Sequence, residues 1–491
     1  GMLRGIVLTH GHQDHIGGMP YLLQRLHLPG GVPVYGTALT IGMLQSRLEE
    51  MGVSQYANLQ VIDDRQTVQL GAFRVSPFSV AHSIPAAVGL VIDTPVGAVV
   101  HTGDYKLDQT PLDGCITDLQ RLHQLTPRGV LAMLGDSTNA DRPGRTPTEQ
   151  VVVETLDGLF AQAPRDRIII ATFSTVLARL QEILHLAHKY GRKVALAGRS
   201  LEQNVTLASS LGYLEIPKGL LVDIRKPIPD EQLVILSTGS QGEPRSALNL
   251  MALGRHKQVQ VKAGDTIIVS GGIIPGNEED VGRMLNHLFA RGANVIYGRL
   301  ADVHVSGHAS RDELRAMLEA VRPRFLIPVH GELRHLHLHA RLARETGLPA
   351  ERIFVLQNGA CWVTDGQSAW LEESVPAEDV YVDGALVGEV GPSVMQQRER
   401  LAQDGLVVVN VPINQQRQLA GELRFLTHGF VDAGEAEALM QAARAEIKRG
   451  LRQVGKRKQA NQLENVQETL EDFFFAKTQS RPVIVPNFVK A

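Results

Sequence analysis

Through the first 147 residues the apolar positions fall in short β-branched runs divided by turns. Residues 5–9 (GIVLT) read as a buried strand. Helical spacing follows over residues 19–27, then a strand at 32–35 and a helix at 37–51. Between 60 and 104 come VID, FRVSPFSVAH, AVGLVID and GAVVHTGD, and 130–136 is a further strand ending in a polar turn. From residue 148 the pattern changes. Helical stretches now alternate with strands that are apolar throughout: RIIIATF, KVALAG, VILST at 234–238 and TIIVS at 266–270, with helices near 201–212 and 279–291. This alternation predicts a doubly wound α/β domain with a parallel sheet. Past residue 300 the expected order is a strand in VHVSGHAS, a helix at 311–321, a strand in RFLIPVHGE and a helix at 333–346. Residues 376–395 read as a linker. The remainder, with VVVNVPI, a helix from 433 to about 454 and the run RPVIVPNFV, reads as a small α+β domain.

A chain of 491 residues exceeds one ordinary domain, and length alone points to about three. With 43% hydrophobic and 21% charged residues the composition is globular rather than disordered. The net charge of −3 excludes a protein that coats nucleic acid nonspecifically, so any nucleic-acid site is local or is charged by metal. The cysteines Cys115 and Cys361 exclude a disulfide framework and a Cys-based zinc module, and fit a reducing cytoplasm. No apolar run is long enough for a membrane span, and no signal peptide is recognised. Gly1-Met2 reads as a cloning scar, yet by Leu8 the chain is already inside a strand. The expectation is therefore that upstream sequence is missing and that the first sheet lacks strands.

The strongest chemical signal is His10-x-His12-x-Asp14-His15 at the exit of the first strand. One tetrahedral ion does not easily use four ligands at so short a spacing, whereas two adjacent ions can, with His10 and His12 on one and Asp14 and His15 on the other. Gly17-Gly18 then allows close backbone approach as a helix begins. More ligands must come from elsewhere in the chain. His82, Asp104 and His330 each end a strand, although alone each reads more readily as a turn, cap or packed residue.

HGHQDHIGG, AHSIP, HTGDYKLD, GDSTNA, VSGHAS and IPVHGE, in this order, resemble the metallo-β-lactamase fold with an inserted β-CASP domain. TGSQGEP and IPGNE narrow the resemblance to the ribonuclease J family, over nearly the whole chain. The resemblance implies an α/β protein: a metallo-β-lactamase αββα sandwich over 1–147 and 301–375, a β-CASP domain at 148–300, the linker 376–395 and a C-terminal α+β domain at 396–491. It implies two Zn2+ per subunit, with Mn2+ or Mg2+ as alternatives. One is held by His10, His12 and His82 and the other by Asp14, His15 and His330, with Asp104 bridging. Asp136, His308 and His330 match the first, second and third β-CASP motifs. His308, Asp136 and Asp14 are the expected catalytic residues: His308 for phosphate contact and leaving-group stabilisation, Asp136 to orient a neighbouring histidine or ligand.

The implied activity is RNA phosphodiester hydrolysis. It would run 5′→3′ in single-nucleotide steps with a preference for 5′-monophosphorylated RNA, with added endonuclease activity, in RNA maturation and mRNA decay in the cytoplasm. A phosphate pocket is expected from Ser237, Gly239, Ser240, Gln241 and Gly242, a Gly/Ser turn rich in anion-binding donors, together with Ser306 and His308. Expected partners are single-stranded RNA, a second copy in a homodimer or homotetramer, and an RNA-degrading complex. The competing readings are a β-CASP nuclease acting on DNA and a catalytically impaired scaffold. Among the weaker features, Arg199 reads equally as an RNA contact and as a helix-edge cation. His335, His337 and His339 read as surface or supporting residues, His101 and His304 as packed strand residues. Lys448, Arg449, Arg452, Lys456, Arg457 and Lys458 read as a basic helix end.

Overall fold

The computed structural model describes residues 3–26, 28, 30–384, 386–415, 419–453 and 462–490. His27, Lys456, Arg457 and Lys458 therefore lie outside the described residues. The chain divides into two compact units, residues 1–376 and 377–491.

In the first unit, β1 (Ile6–Val7), β2 (Val32–Gly36) and β3 (Ala57–Val61) form a parallel sheet. A second sheet combines β4 (Val68–Leu70), β5 (Phe73–Ser79), β6 (Val88–Thr94), β7 (Gly97–His101) and β8 (Ala132–Asp136) with a strand from far along the chain, Phe325–Val329. That late strand runs parallel to β8, and β8 runs parallel to β7. β5 is antiparallel to β6, and β6 to β7, so β5 points the same way as β7. The carboxyl ends of β5, β7, β8 and Phe325–Val329 therefore share one edge of the sheet. His82, Asp104, Asp136 and His330 all sit at or just past those ends.

The intervening segment builds an all-parallel sheet from β9 (Ile168–Thr172), β10 (Lys193–Ala197), β11 (Leu221–Val222), β12 (Leu233–Ser237), β13 (Thr266–Ser270) and β14 (Asn294–Tyr297), in the order β11-β10-β12-β9-β13-β14. β9, β12 and β13 are buried at every position, which is why their sequences are continuous β-branched runs rather than alternating ones. The loops leaving β9 and β13, at Phe173–Val176 and Gly272–Pro275, line a cleft at the carboxyl ends of the strands, where open parallel sheets place their ligands.

The helices Ala38–Glu50 and Arg199–Ser210 join the two parts of this unit. A Cβ on Gly42 would meet Leu207 side-chain carbons at 2.9 and 3.2 Å, so the glycine sets how closely the helices approach. Glu50 accepts a hydrogen bond from Gln203 at 2.9 Å and an ion pair from Arg199 at 3.3 Å. The Arg199 side chain is otherwise largely exposed at the helix edge.

The second unit packs the sheet of strands Leu406–Ile413, Arg424–His428 and Val483–Lys490 against the helices Ala433–Gln453 and Gln462–Thr478. Alternation in VVVNVPI sends Val407, Val409 and Val411 into this core. Within the basic helix end Arg449 pairs with Glu446 at 3.1 Å.

Two expectations change. Residues 376–395 are more than a linker, because they contain the paired strands Val382–Asp383 and Leu386–Val387 and the start of a helix, Pro392–Asp404. Residues 302–306 run as a loop rather than a strand, so His304 is not a strand residue, and His101 is the last residue of β7. No helix among the described residues is long and apolar enough to cross a membrane.

Candidate metal centre

The exit of β1 carries His10 and His12 directly into the one-turn helix Gln13–Ile16, which holds Asp14 and His15 beside them, with the His10 and His15 ring centres 4.0 Å apart. Ligand atoms of His10, His12 and His82 form one group, and those of Asp14, His15, Asp104 and His330 a second. Asp104 lies between them. Its Oδ2 is 3.6 Å from His10 Nε2, 3.0 Å from His15 Nε2, 3.9 Å from His82 Nε2 and 3.7 Å from His330 Nε2.

These atoms fit a metal. His10 Nδ1 contacts Thr9 Oγ1 at 3.1 Å, while its buried Nε2 has no hydrogen-bond partner. His82 donates from Nδ1 to the Gly307 carbonyl at 2.9 Å, which leaves its Nε2 lone pair facing His12 Nδ1 at 3.0 Å. Burial pushes His12 down to about 4 against the opposing pull of Asp14 and Asp104, and burial reinforced by neighbouring imidazoles pushes His82 to about 3 and His10 lower still. Three neutral imidazoles with converging nitrogens beside carboxylates form a donor set suited to a divalent cation.

The opposite shifts mark His308 and His330. Burial opposes charge on His308, but Asp136, with Oδ2 at 2.8 Å from His308 Nδ1, outweighs it and raises its pKa. Burial likewise opposes charge on His330, yet contacts with Asp136 and Asp14 lift it to about 11. Asp136 is held well below the carboxylate range, because the two histidines overcome its own burial. The Asp136 Oδ1 accepts hydrogen bonds from the Thr138 amide and hydroxyl, and the same hydroxyl lies 2.7 Å from His330 Nδ1.

The cleft beside this centre encloses about 730 Å3 and reaches from His12, Asp14 and His308 to Arg47, Glu50 and Gln203. Ser306 lines it. Its oxygen accepts from Asn139 Nδ2 at 2.9 Å and from the His308 amide at 3.2 Å, which leaves its own proton to donate. The turn at 237–242 is placed differently from expectation. Ser237, Ser240 and Gln241 are buried, and Gln241 donates to the Gly272 carbonyl at 2.7 Å and accepts from the Ile274 amide at 2.9 Å. The positive φ of Gly239 and Gly242 lets this turn pack tightly, since a Cβ at either would strike Ser246 or the Asp280 backbone. The turn braces the cleft wall at Gly272–Pro275 instead of facing the cleft.

Two residues that sequence reasoning missed stand beside the centre. His304 lines the cleft and takes a hydrogen bond on Nδ1 from Arg179 at 3.3 Å, which assigns its remaining proton to Nε2. Burial, followed by nearby Arg179, pushes His304 down to about 3, so the ring is a neutral donor. Thr138 is the other, and its place two residues past Asp136 was the available signal. His335 and His339 are buried rather than on the surface, with His339 Nδ1 2.9 Å from Ser137 Oγ, while His337 is exposed.

A histidine–aspartate centre on the strand ends of two sheets, with a parallel α/β domain inserted above it, defines a metal-dependent hydrolase of the metallo-β-lactamase fold. Family models agree, matching a beta-lactamase superfamily domain at 2–121, a ribonuclease J beta-CASP domain at 165–288, a Zn-dependent metallo-hydrolase RNA specificity domain at 295–356 and a ribonuclease J C-terminal domain at 393–491. The chain is 40% identical to ribonuclease J of Thermus thermophilus, across 99% of this chain and 84% of that one. It is 42% identical to ribonuclease J of Synechocystis, across 83% of this chain and 63% of the other, and 36% identical to ribonuclease J2 of Bacillus subtilis, across 99% and 87%. The chain belongs to the ribonuclease J family.

Proposed function

We propose that this chain hydrolyses RNA phosphodiesters from the 5′ end, releasing single nucleotides from 5′-monophosphorylated RNA, with endonuclease activity in addition. The observation that carries this reading is the convergence of two ligand groups on Asp104 beside a cleft lined by Ser306 and His308. His10, His12 and His82 would hold one ion, and Asp14, His15 and His330 the other, with Asp104 between them; zinc suits this donor set, with manganese or magnesium as alternatives. When bound, such ions supply Lewis acidity toward the phosphate and lower the pKa of water at the site.

The chain's own residues do the rest. Asp136 fixes the His308 ring through Nδ1 and raises its pKa, favouring the protonated ring. Its Nε2 proton is thereby available to a phosphate oxygen or to the departing 3′-oxygen. The Ser306 hydroxyl and the His304 Nε2–H offer donors to the terminal 5′-phosphate. Ser237, Gly239, Ser240, Gln241 and Gly242 support that pocket from behind.

RNA maturation and mRNA decay in the cytoplasm, as a homodimer or homotetramer and within an RNA-degrading complex, complete the reading. Its domain partition is 1–147 with 301–375, 148–300, 376–395 and 396–491. The test offers 5′-monophosphorylated, 5′-triphosphorylated and 5′-hydroxyl RNA, and DNA, to the metal-loaded protein. Nucleoside monophosphates released fastest from monophosphorylated RNA support the reading, and equal cleavage of DNA defeats it.

A further inference from the structure

Thr138 stands where one proton decides which way a histidine faces. Asp136 Oδ1 already accepts from the Thr138 backbone amide at 3.0 Å, so this oxygen faces donors. The same Oδ1 lies 2.8 Å from Thr138 Oγ1, so the threonine hydroxyl donates to Asp136. The oxygen then has only lone pairs to offer His330 Nδ1, 2.7 Å away, and His330 must carry a proton there. The opposite face of the ring follows directly. His330 Nε2 points at Asp14 Oδ2, 3.3 Å away, and at Asp104 Oδ2, 3.7 Å away. An imidazole lone pair facing two carboxylates is repulsive unless a proton or a cation lies between them.

The backbone does not supply this aim for nothing. His330 has φ +61, a left-handed conformation that side chains rarely adopt. The next residue, Gly331, has φ +95, and a Cβ there would lie 3.3 Å from Thr138 Cα. The glycine thus admits Thr138 against the turn that presents His330.

We propose that Thr138 is a positioning residue: by passing a hydrogen bond from His330 Nδ1 to Asp136, it commits His330 Nε2 to a divalent cation held with Asp14 and His15. The proposal rests on the two-ion reading above. One carboxylate, Asp136, then orients two histidines, His308 directly and His330 through the hydroxyl, with Asp136 Oδ1 itself 3.5 Å from His330 Nδ1 as a longer direct contact.

The experiment measures zinc bound per chain, and the affinity of each ion by chelator competition, in the full chain with Thr138→Val, Thr138→Ser and His330→Ala beside the wild type. Thermal unfolding of the metal-free proteins serves as the folding control. Thr138→Val keeps the methyl shape and removes the hydroxyl. It should retain one ion at wild-type affinity and weaken the other about 10- to 100-fold, the usual effect of losing a residue that supports a ligand. Thr138→Ser should restore the second ion to near wild-type affinity, which a purely packing role of the methyl group would not allow. Should Thr138→Val fail to fold, Thr138→Ala gives the same readout. If His330→Ala loses an ion but Thr138→Val binds both as tightly as the wild type, the relay is wrong and the two-ion reading stands. If Thr138→Ser loses as much as Thr138→Val, the relay is likewise wrong. If the wild type binds a single ion and His330→Ala leaves it in place, the underlying two-ion reading falls, and the proposal with it.

Discussion

His308 Nδ1 lies 2.8 Å from Asp136 Oδ2, a hydrogen bond between residues 172 positions apart that raises the pKa of the ring and holds it beside His82 and His330. The His308 ring stacks at 5.4 Å on His330 and meets His82 edge-on at 5.1 Å, so it touches both ligand groups while belonging to neither of the metal sets proposed here. Replacing His308 by Ala should therefore separate chemistry from metal binding. Nucleotide release should fall by about 10²- to 10⁴-fold, with metal content unchanged. Single-turnover rates beside elemental analysis check this, and metal lost along with activity would contradict the assignment.

Gly307 presents its carbonyl to His82 and leaves no room for a side chain. A Cβ at Gly307 would sit 2.8 Å from both Cε1 and Nδ1 of His82 and 2.8 Å from Ser83 Oγ. The Gly307→Ala substitution should tilt His82 and weaken the His10–His12–His82 ion by about tenfold or more. Metal titration of the purified variant gives the answer.

Metal uptake should depend on pH unequally at the two positions. In the metal-free chain His330 holds its proton up to about pH 11, and a cation taking Nε2 must displace it. The affinity of the position that uses His330 should rise by about tenfold per pH unit across the neutral range. His12 and His82 titrate at about 4 and about 3, are already neutral there, and add no such slope. Proton release during zinc titration in two buffers measures the difference.

The same depressed histidines set the acid sensitivity of the metal-free fold. In the unfolded chain they take up protons near pH 6.5, while the folded chain refuses them down to about 4 and about 3. More protons bound in the unfolded state means stability rises with pH, so it is present above about 6.5 and is lost as pH falls toward the folded values. Urea midpoints at several pH values, taken in chelator, check the sign.

Arg179 is fully buried. It makes a bidentate pair with Glu149, at 2.7 and 3.1 Å, and also reaches the Ser270 carbonyl and His304. Arg179→Met should cost about 3–5 kcal/mol, because it strands a buried carboxylate. Adding Glu149→Leu should recover a large part of that loss, as denaturant unfolding of both variants would report.

The four-ligand cluster at residues 10–15 was legible because a dense run of ligand side chains at a strand end has few other uses. His82, Asp104 and His330 were legible only through family resemblance, since each alone is an ordinary strand-end residue and sheet order is what gathers them. The alternation in VHV imitates a strand, which concealed His304 as a cleft donor. The 237–242 turn has the chemistry of an anion site, but burial depends on what packs over it, and Gln241 spends its amide on the neighbouring loop. Thr138 was marked only by its place two residues past Asp136; its role comes from counting protons among itself, Asp136 and His330, which lies 192 positions away.

Asp14 and His330 lie 316 positions apart in the chain, with the whole inserted sheet between them. A growing polypeptide displays its first histidine cluster early and its closing histidine only after that sheet has been made. The full set of converging histidine and aspartate side chains can therefore assemble only after residue 330 has been made, when most of the first unit already exists.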